Sequence, residues 1–227
     1  MRTRMPFGCL SLIVFLAVLL FPLFLANALL SALNKLGLNP QTALLAGLGI
    51  FLGGMVNIPI ARLDREQEIQ YMQIRMFGLN RIIPVTPRQM RHTVIAINLG
   101  GGLIPLSIAL YELYRLTNMG ITLLFPALGA IGINVIVCYV IARPVQGVGI
   151  TMPSLVPGLI AAAAALLLTP EFAPPVAFAA GVLGPLVGAD LMHLNDIKKI
   201  ATGTASIGGA GTFDGIVISA LVATLLA

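Results

Sequence analysis

Stretches of about twenty apolar residues recur along this chain, and their length limits what it can fold into. As helices at about 1.5 Å per residue, such stretches cover the roughly 30 Å hydrocarbon core of a bilayer. Seven are read here, at residues 7–32, 41–61, 93–114, 119–142, 154–169, 173–194 and 208–227. The fifth is short and the seventh opens in glycine, so six or eight crossings are the neighbouring solutions. Composition agrees with this reading. Only 9% of the 227 residues are charged, against about 25% in soluble domains. The expectation is an all-α polytopic membrane bundle of about seven transmembrane helices, folded as a single domain over residues 1–227.

The charges set the orientation. With the N-terminus cytoplasmic, Arg2, Arg4, Arg62, Arg65, Arg75, Arg81, Arg88, Arg91, Arg143, Lys198 and Lys199 fall inside, and Lys35 and Arg115 fall outside. Eleven of the thirteen basic residues then obey the positive-inside rule, and an odd number of spans leaves the C-terminus outside. The net charge of +5 is thereby a matter of topology. No aromatic–basic platform accompanies it and the chain has no tryptophan, so no nucleic-acid partner is expected. A signal peptide is the rival reading of the first segment, with MRTRM as its n-region and Ala26-Asn27-Ala28 as its cleavage site. The apolar run exceeds a usual h-region, which favours an uncleaved span. Cys9 and Cys138 lie in separate apolar segments and read as reduced packing residues.

Residues 62–92 form a basic cytoplasmic loop that mixes charge with Ile69, Met72, Ile74, Met76 and Phe77. A surface helix or a strand pair is its structured alternative, and a partner-binding scaffold role its functional one. LGGMVNIPI and LGGGLIPLSI share a Gly-Gly then Pro pattern in neighbouring spans. Small residues let helices approach closely, and broken transporter helices use the same composition.

Inside the spans the polar residues are Asn27, Asn57, Asn98, Asn134, Glu112, Asp190, His193 and Asp214. The asparagines read as interhelical hydrogen-bond glue, and Glu112 with Arg115 as a surface pair. The aspartates are harder to place, because an ionised Asp at the bilayer centre costs about 2.5–3.5 kcal/mol. Counting from the span ends puts Asp190 roughly 6 Å and Asp214 about 9 Å below the cytoplasmic interface, on consecutive antiparallel helices. Structural roles exist for both: Thr212 as an N-cap with Asp214 in the first turn, and Asp190 bonded to His193, Lys198 or Lys199. Between the acids runs ATGTASIGGAG, whose Gly208, Gly209, Gly211 and Thr212 lead into a helix and can present amides to a substrate. No nucleotide P-loop is present. Upstream, ARPVQGVGITMPSLVPG is a second irregular segment at the same boundary, with Pro153, Ser154 and Leu155 in it. Irregular backbone at membrane depth must line a cavity or be buried in protein. Two broken segments and two acids thus converge on one cytoplasmic polar site.

Three chemistries suit such a site. Two close carboxylates share a proton, one acting as acid while the other activates water. Alternatively, Asp190 and Asp214 bind an ion or proton in a transporter or channel. Third, Asp190 and His193, at i and i+3, hold a metal together with Asp214. The cofactor is unknown; lipids and a transmembrane peptide or ion substrate are the expected partners. GAD at 188–190, GTFDG at 211–215 and Pro153-Ser154-Leu155 resemble the motifs of presenilin-like and prepilin-peptidase-like membrane aspartyl proteases, which carry one Asp on each of two spans, one in a GxGD motif. That resemblance implies catalytic roles for Asp190 and Asp214. Here neither acid stands in a full GxGD, and Pro-Ser-Leu precedes the acids instead of following them. Over the whole chain, NIP at 57–59, ARPVQGVGI at 142–150, GADL at 188–191 and SIGGAGTFDGI at 206–216 resemble a prokaryotic multi-span membrane family known as a domain of unknown function (DUF1614-like). This resemblance implies a multi-pass protein of the prokaryotic inner membrane.

Overall fold

The computed structural model describes residues 7–64, 70–76, 79–85, 92–146, 148–198, 203–209 and 214–227. Helices α1 (Phe7–Lys35) and α2 (Pro40–Gly53) lead into strand β1 (Asn57–Asp64), followed by β2 (Gln70–Met76), β3 (Leu79–Val85) and β4 (His92–Asn98). A π-helical turn (Leu99–Leu103) then joins β4 to α3 (Ile104–Met119), and α4 (Ile121–Ile141) follows. Next come the small hairpin β5 (Arg143–Val145) and β6 (Gly149–Thr151), and helix α5 (Leu155–Leu168). A 3₁₀ turn (Pro170–Phe172), α6 (Ala173–Leu183) and a π-helical segment (Gly184–Leu191) form one continuous rod. The chain ends in α7 (Leu194–Ile197), β7 (Thr204–Ile207) and α8 (Gly215–Leu226).

Helix α6 is the axis of the bundle and packs against α3, α4, α5 and α8. Its Val176, Ala177, Ala179 and Ala180 have no exposure; such small side chains let neighbouring backbones approach closely. Asn134 on α4 donates Nδ2–H to the Ala180 carbonyl over 2.8 Å, the interhelical bond expected of a buried asparagine. Beyond α6, Pro185 lacks an amide proton and cannot continue a regular α-helix without loss; a π-helical segment accommodates it here. Gly188 in that segment lies so close to α4 that an added Cβ would strike the Val135 carbonyl and come within 2.9 Å of Cys138 Cβ.

Among the described residues, two helical rods, Ile121–Ile141 and Pro170–Leu191, are long and apolar enough to cross a bilayer. Large apolar side chains also cover the outside, with Leu45, Phe125, Val140 and Leu167 all more than 65% exposed. An apolar exterior of this extent suits lipid rather than water. Helices α2, α5 and α8 are apolar but short, at 14, 14 and 12 residues.

The all-α expectation is corrected by three small sheets. β4 lies between β1 (antiparallel) and β7 (parallel); β2 pairs with β3, and β5 with β6. Residues 57–61 and 93–98, expected inside the second and third spans, are therefore strands. A short apolar run reads alike in a buried strand and a buried helix. In Thr93-Val94-Ile95-Ala96-Ile97, β-branched side chains favour the strand. The described part of residues 62–92 is also extended, which is the strand-pair alternative for that loop. The two Gly-Gly stretches meet where α2 ends. An alanine methyl at Gly100 would collide with the Ile50 carbonyl and the Gly54 amide. Asn98, fully buried, seals this crossing: its Nδ2 donates to the Gly54 carbonyl (2.8 Å) and its Oδ1 accepts from the Gly101 amide (2.7 Å).

Candidate functional site

The π-helical segment carries Asp190 to its C-terminal end. There Asp190 Oδ2 accepts a hydrogen bond from the Gly208 amide over 3.0 Å. Gly208 and Gly209 follow β7 with φ of +80° and +76°, a left-handed pair that L side chains resist. Their turn closes through a bond from the Gly209 amide to the Ser206 carbonyl (3.2 Å). Asp214 approaches the same turn, so that a methyl on Gly209 would run into its carboxyl group. Asp214 is the N-cap of α8, with φ −75° and ψ 167°. Both acids therefore lie against the Gly208-Gly209 turn.

Both acids line one cavity of about 230 Å³, together with Met152, Ser154, Pro185 and Gly215. Asp190 also borders a second cavity of about 410 Å³, walled by Asn57, Gly149, Ile150, Ser206 and Gly209. It stands where the two cavities adjoin. Among Pro153, Ser154 and Leu155, only Ser154 reaches the acids' cavity. Pro153 lines a separate hollow beside Arg143 and Met152, and Leu155 is exposed. Gly211 and Thr212 lie outside the described residues, so the proposed Thr212 cap does as well; Asp214 takes the N-cap position.

His193 has another task. Its Nδ1 donates to the Gly188 and Ala189 carbonyls, each 3.1 Å away, and its ring packs on Tyr139 at 4.9 Å. It ties down the carbonyls freed where the rod ends and so supports the backbone that carries Asp190. Among the described residues no three His, Cys, Asp or Glu side chains come together to hold a metal. Asn57 and Ser206 are site residues that interhelical reasoning passed over; both stand in the NIP and SIGGAGTFDGI motifs. Glu112 differs from its expected surface pairing: it is 1% exposed, bonded to Arg115 at 2.9 Å. Arg115 also donates to the Leu36 carbonyl over 2.6 Å, locking α1 to α3.

Fold and site together define a predominantly helical protein of membrane character, with two acids set around a glycine turn. The family described as "Protein of unknown function (DUF1614)" matches residues 51–226, and the chain belongs to that family. The matched region contains Asn57, Asp190, Ser206, the glycine turn and Asp214. Comparison with the curated proteins and with the solved structures returns no match.

Proposed function

We propose that Asp190 and Asp214 work as one acid pair, hydrolysing a peptide bond in a membrane-embedded substrate at the cytoplasmic face. The observation that carries this reading is their convergence: acids from two consecutive apolar segments border the same cavity and lie against the same turn. Two neighbouring carboxylates retain one proton between them, which gives an acid and a base at one place. Their surroundings differ, and this supports a division of labour. Asp214 sits at a helix N-terminus, where amides favour the carboxylate, and is the base that activates water. Asp190, on the irregular rod, supplies the proton to the substrate carbonyl. As the water adds, its proton passes to Asp214. The resulting gem-diol then collapses with cleavage of the C–N bond: the leaving amine takes up the proton held by Asp214, and a gem-diol hydroxyl returns a proton to Asp190.

The orientation that goes with this reading is N-terminus inside and about seven crossings, supported by the eleven-to-two asymmetry of basic residues. Lys35, Glu112, Arg115 and Glu171 line a cavity at the far end of the rod from Asp190, in keeping with an outer end there. The test uses purified protein in nanodiscs with a library of transmembrane peptides, in ¹⁸O-labelled water. Hydrolysis places the label in a new carboxyl terminus, and either Asp190→Asn or Asp214→Asn abolishes it. Absence of cleavage across the library, or cleavage surviving in either variant, refutes the proposal.

A further inference from the structure

Beside the acid pair lies a cluster of oxygens that the hydrolytic reading leaves unused. Ser206 Oγ, on β7, is 2.6 Å from Asn57 Oδ1 at the start of β1, and 2.7 Å from the Gly209 carbonyl oxygen. Asn57 Oδ1 is fixed as an acceptor, because Asn98 Nδ2 donates to it over 3.1 Å. A hydroxyl has one proton, so Ser206 can serve only one of its two close oxygen neighbours at a time. Asp190 borders the same cavity of about 410 Å³, with Oδ2 held by the Gly208 amide. A carboxylate, an amide oxygen, a hydroxyl and a backbone carbonyl are therefore gathered from three segments, the end of the rod, the start of β1 and β7 with the turn after it, around one hollow.

Hard cations take this type of ligand, and unwound backbone within membrane bundles binds Na⁺ through such carbonyls. The charge balance selects the ion: one carboxylate against three neutral oxygens suits a single positive charge. We propose that this cavity binds a compact monovalent cation, an alkali ion or a primary ammonium group, through Asp190, Asn57, Ser206 and the Gly209 carbonyl. The proposal stands apart from the hydrolytic reading, since binding is measured without turnover. Where both hold, a bound cation keeps Asp190 ionised and withdraws it from proton sharing, so occupancy inhibits cleavage.

The full-length protein is melted in detergent at constant ionic strength in N-methylglucamine chloride, a cation too bulky for the cluster. Na⁺, K⁺ or methylammonium replaces it in parallel samples. At least one small cation is expected to raise Tm by about 3–5 °C at tenfold excess over Kd. The rise disappears in Asp190→Asn and shrinks in Ser206→Ala. A rise with alkali ions alone supports the proposal as a metal-ion site; a rise with methylammonium supports it as an ammonium site. Equal melting in all four salts, or a full rise in Ser206→Ala, overturns it. If Asp190→Asn does not fold, Ser206→Ala decides, with radiolabelled sodium binding to both remaining proteins as the second readout.

Discussion

Alanine at Gly208 and alanine at Gly209 should both cost stability, each against a different neighbour, since the two adjacent residues share a left-handed backbone. With φ of +80° and +76°, each substitution costs about 1–2 kcal/mol from conformation alone. The added methyl groups then meet different neighbours. At Gly209 the methyl meets the Asp214 carboxyl and lies 2.6 Å from Asp214 Cβ, so rotation of the carboxyl alone does not relieve it. At Gly208 it lies 2.5 Å from Gly102 N and 2.6 Å from Gly102 Cα, backbone that moves only if the π-helical turn moves. Overpacking of this kind adds about 1–3 kcal/mol. Gly208→Ala and Gly209→Ala should therefore each lose about 2–5 kcal/mol. At about 2–4 °C per kcal/mol for a chain of this size, thermal unfolding in micelles measures both losses. Gly209→Ala should also displace Asp214 and abolish cleavage while the fold persists. A loss below about 1 kcal/mol at either position, or Gly209→Ala with normal cleavage, would refute the reasoning.

The other predictions concern the scaffold. Arg115→Ala leaves Glu112 buried without its partner and should cost about 2–4 kcal/mol, below the full range for a wholly buried pair because Arg115 is 31% exposed. Adding Glu112→Ala should recover part of that loss, as read from a double-mutant cycle of melting curves. Asn134→Ala removes the bond to the Ala180 carbonyl and should cost about 1–3 kcal/mol in the same assay. His193→Ala frees the Gly188 and Ala189 carbonyls; hydrogen exchange should accelerate over residues 186–192 while α4 keeps its protection.

The helices were legible where apolar runs were long, as in α4 and the rod from Pro170 to Leu191. That Asp190 and Asp214 would come near one another was also legible, because both lie near the ends of consecutive segments. The strands were hidden for a physical reason. Ile58, Val94, Ile95 and Ile97 are as apolar in a sheet between helices as in a membrane helix, and length alone could not separate the two. That error concealed Asn57, which read as glue within a helix and instead begins β1 opposite Asn98. The burial of Glu112 was equally illegible, since it depends on the Leu36 carbonyl brought to Arg115 from far along the chain. The Gly-Gly repeat gave a correct clue to close approach, and Gly208-Gly209 a correct clue to a turn beside the acids.

The central claim is that Asp190 and Asp214 act as one pair, and their coupled titration tests it most directly. Difference infrared spectroscopy on protein carrying ¹³C-labelled aspartate would follow the carboxyl bands across pH in the native protein, Asp190→Asn and Asp214→Asn. The account predicts that each substitution shifts the titration of the aspartate that remains. Unchanged titration of both remaining aspartates would mean two independent acids and would contradict it.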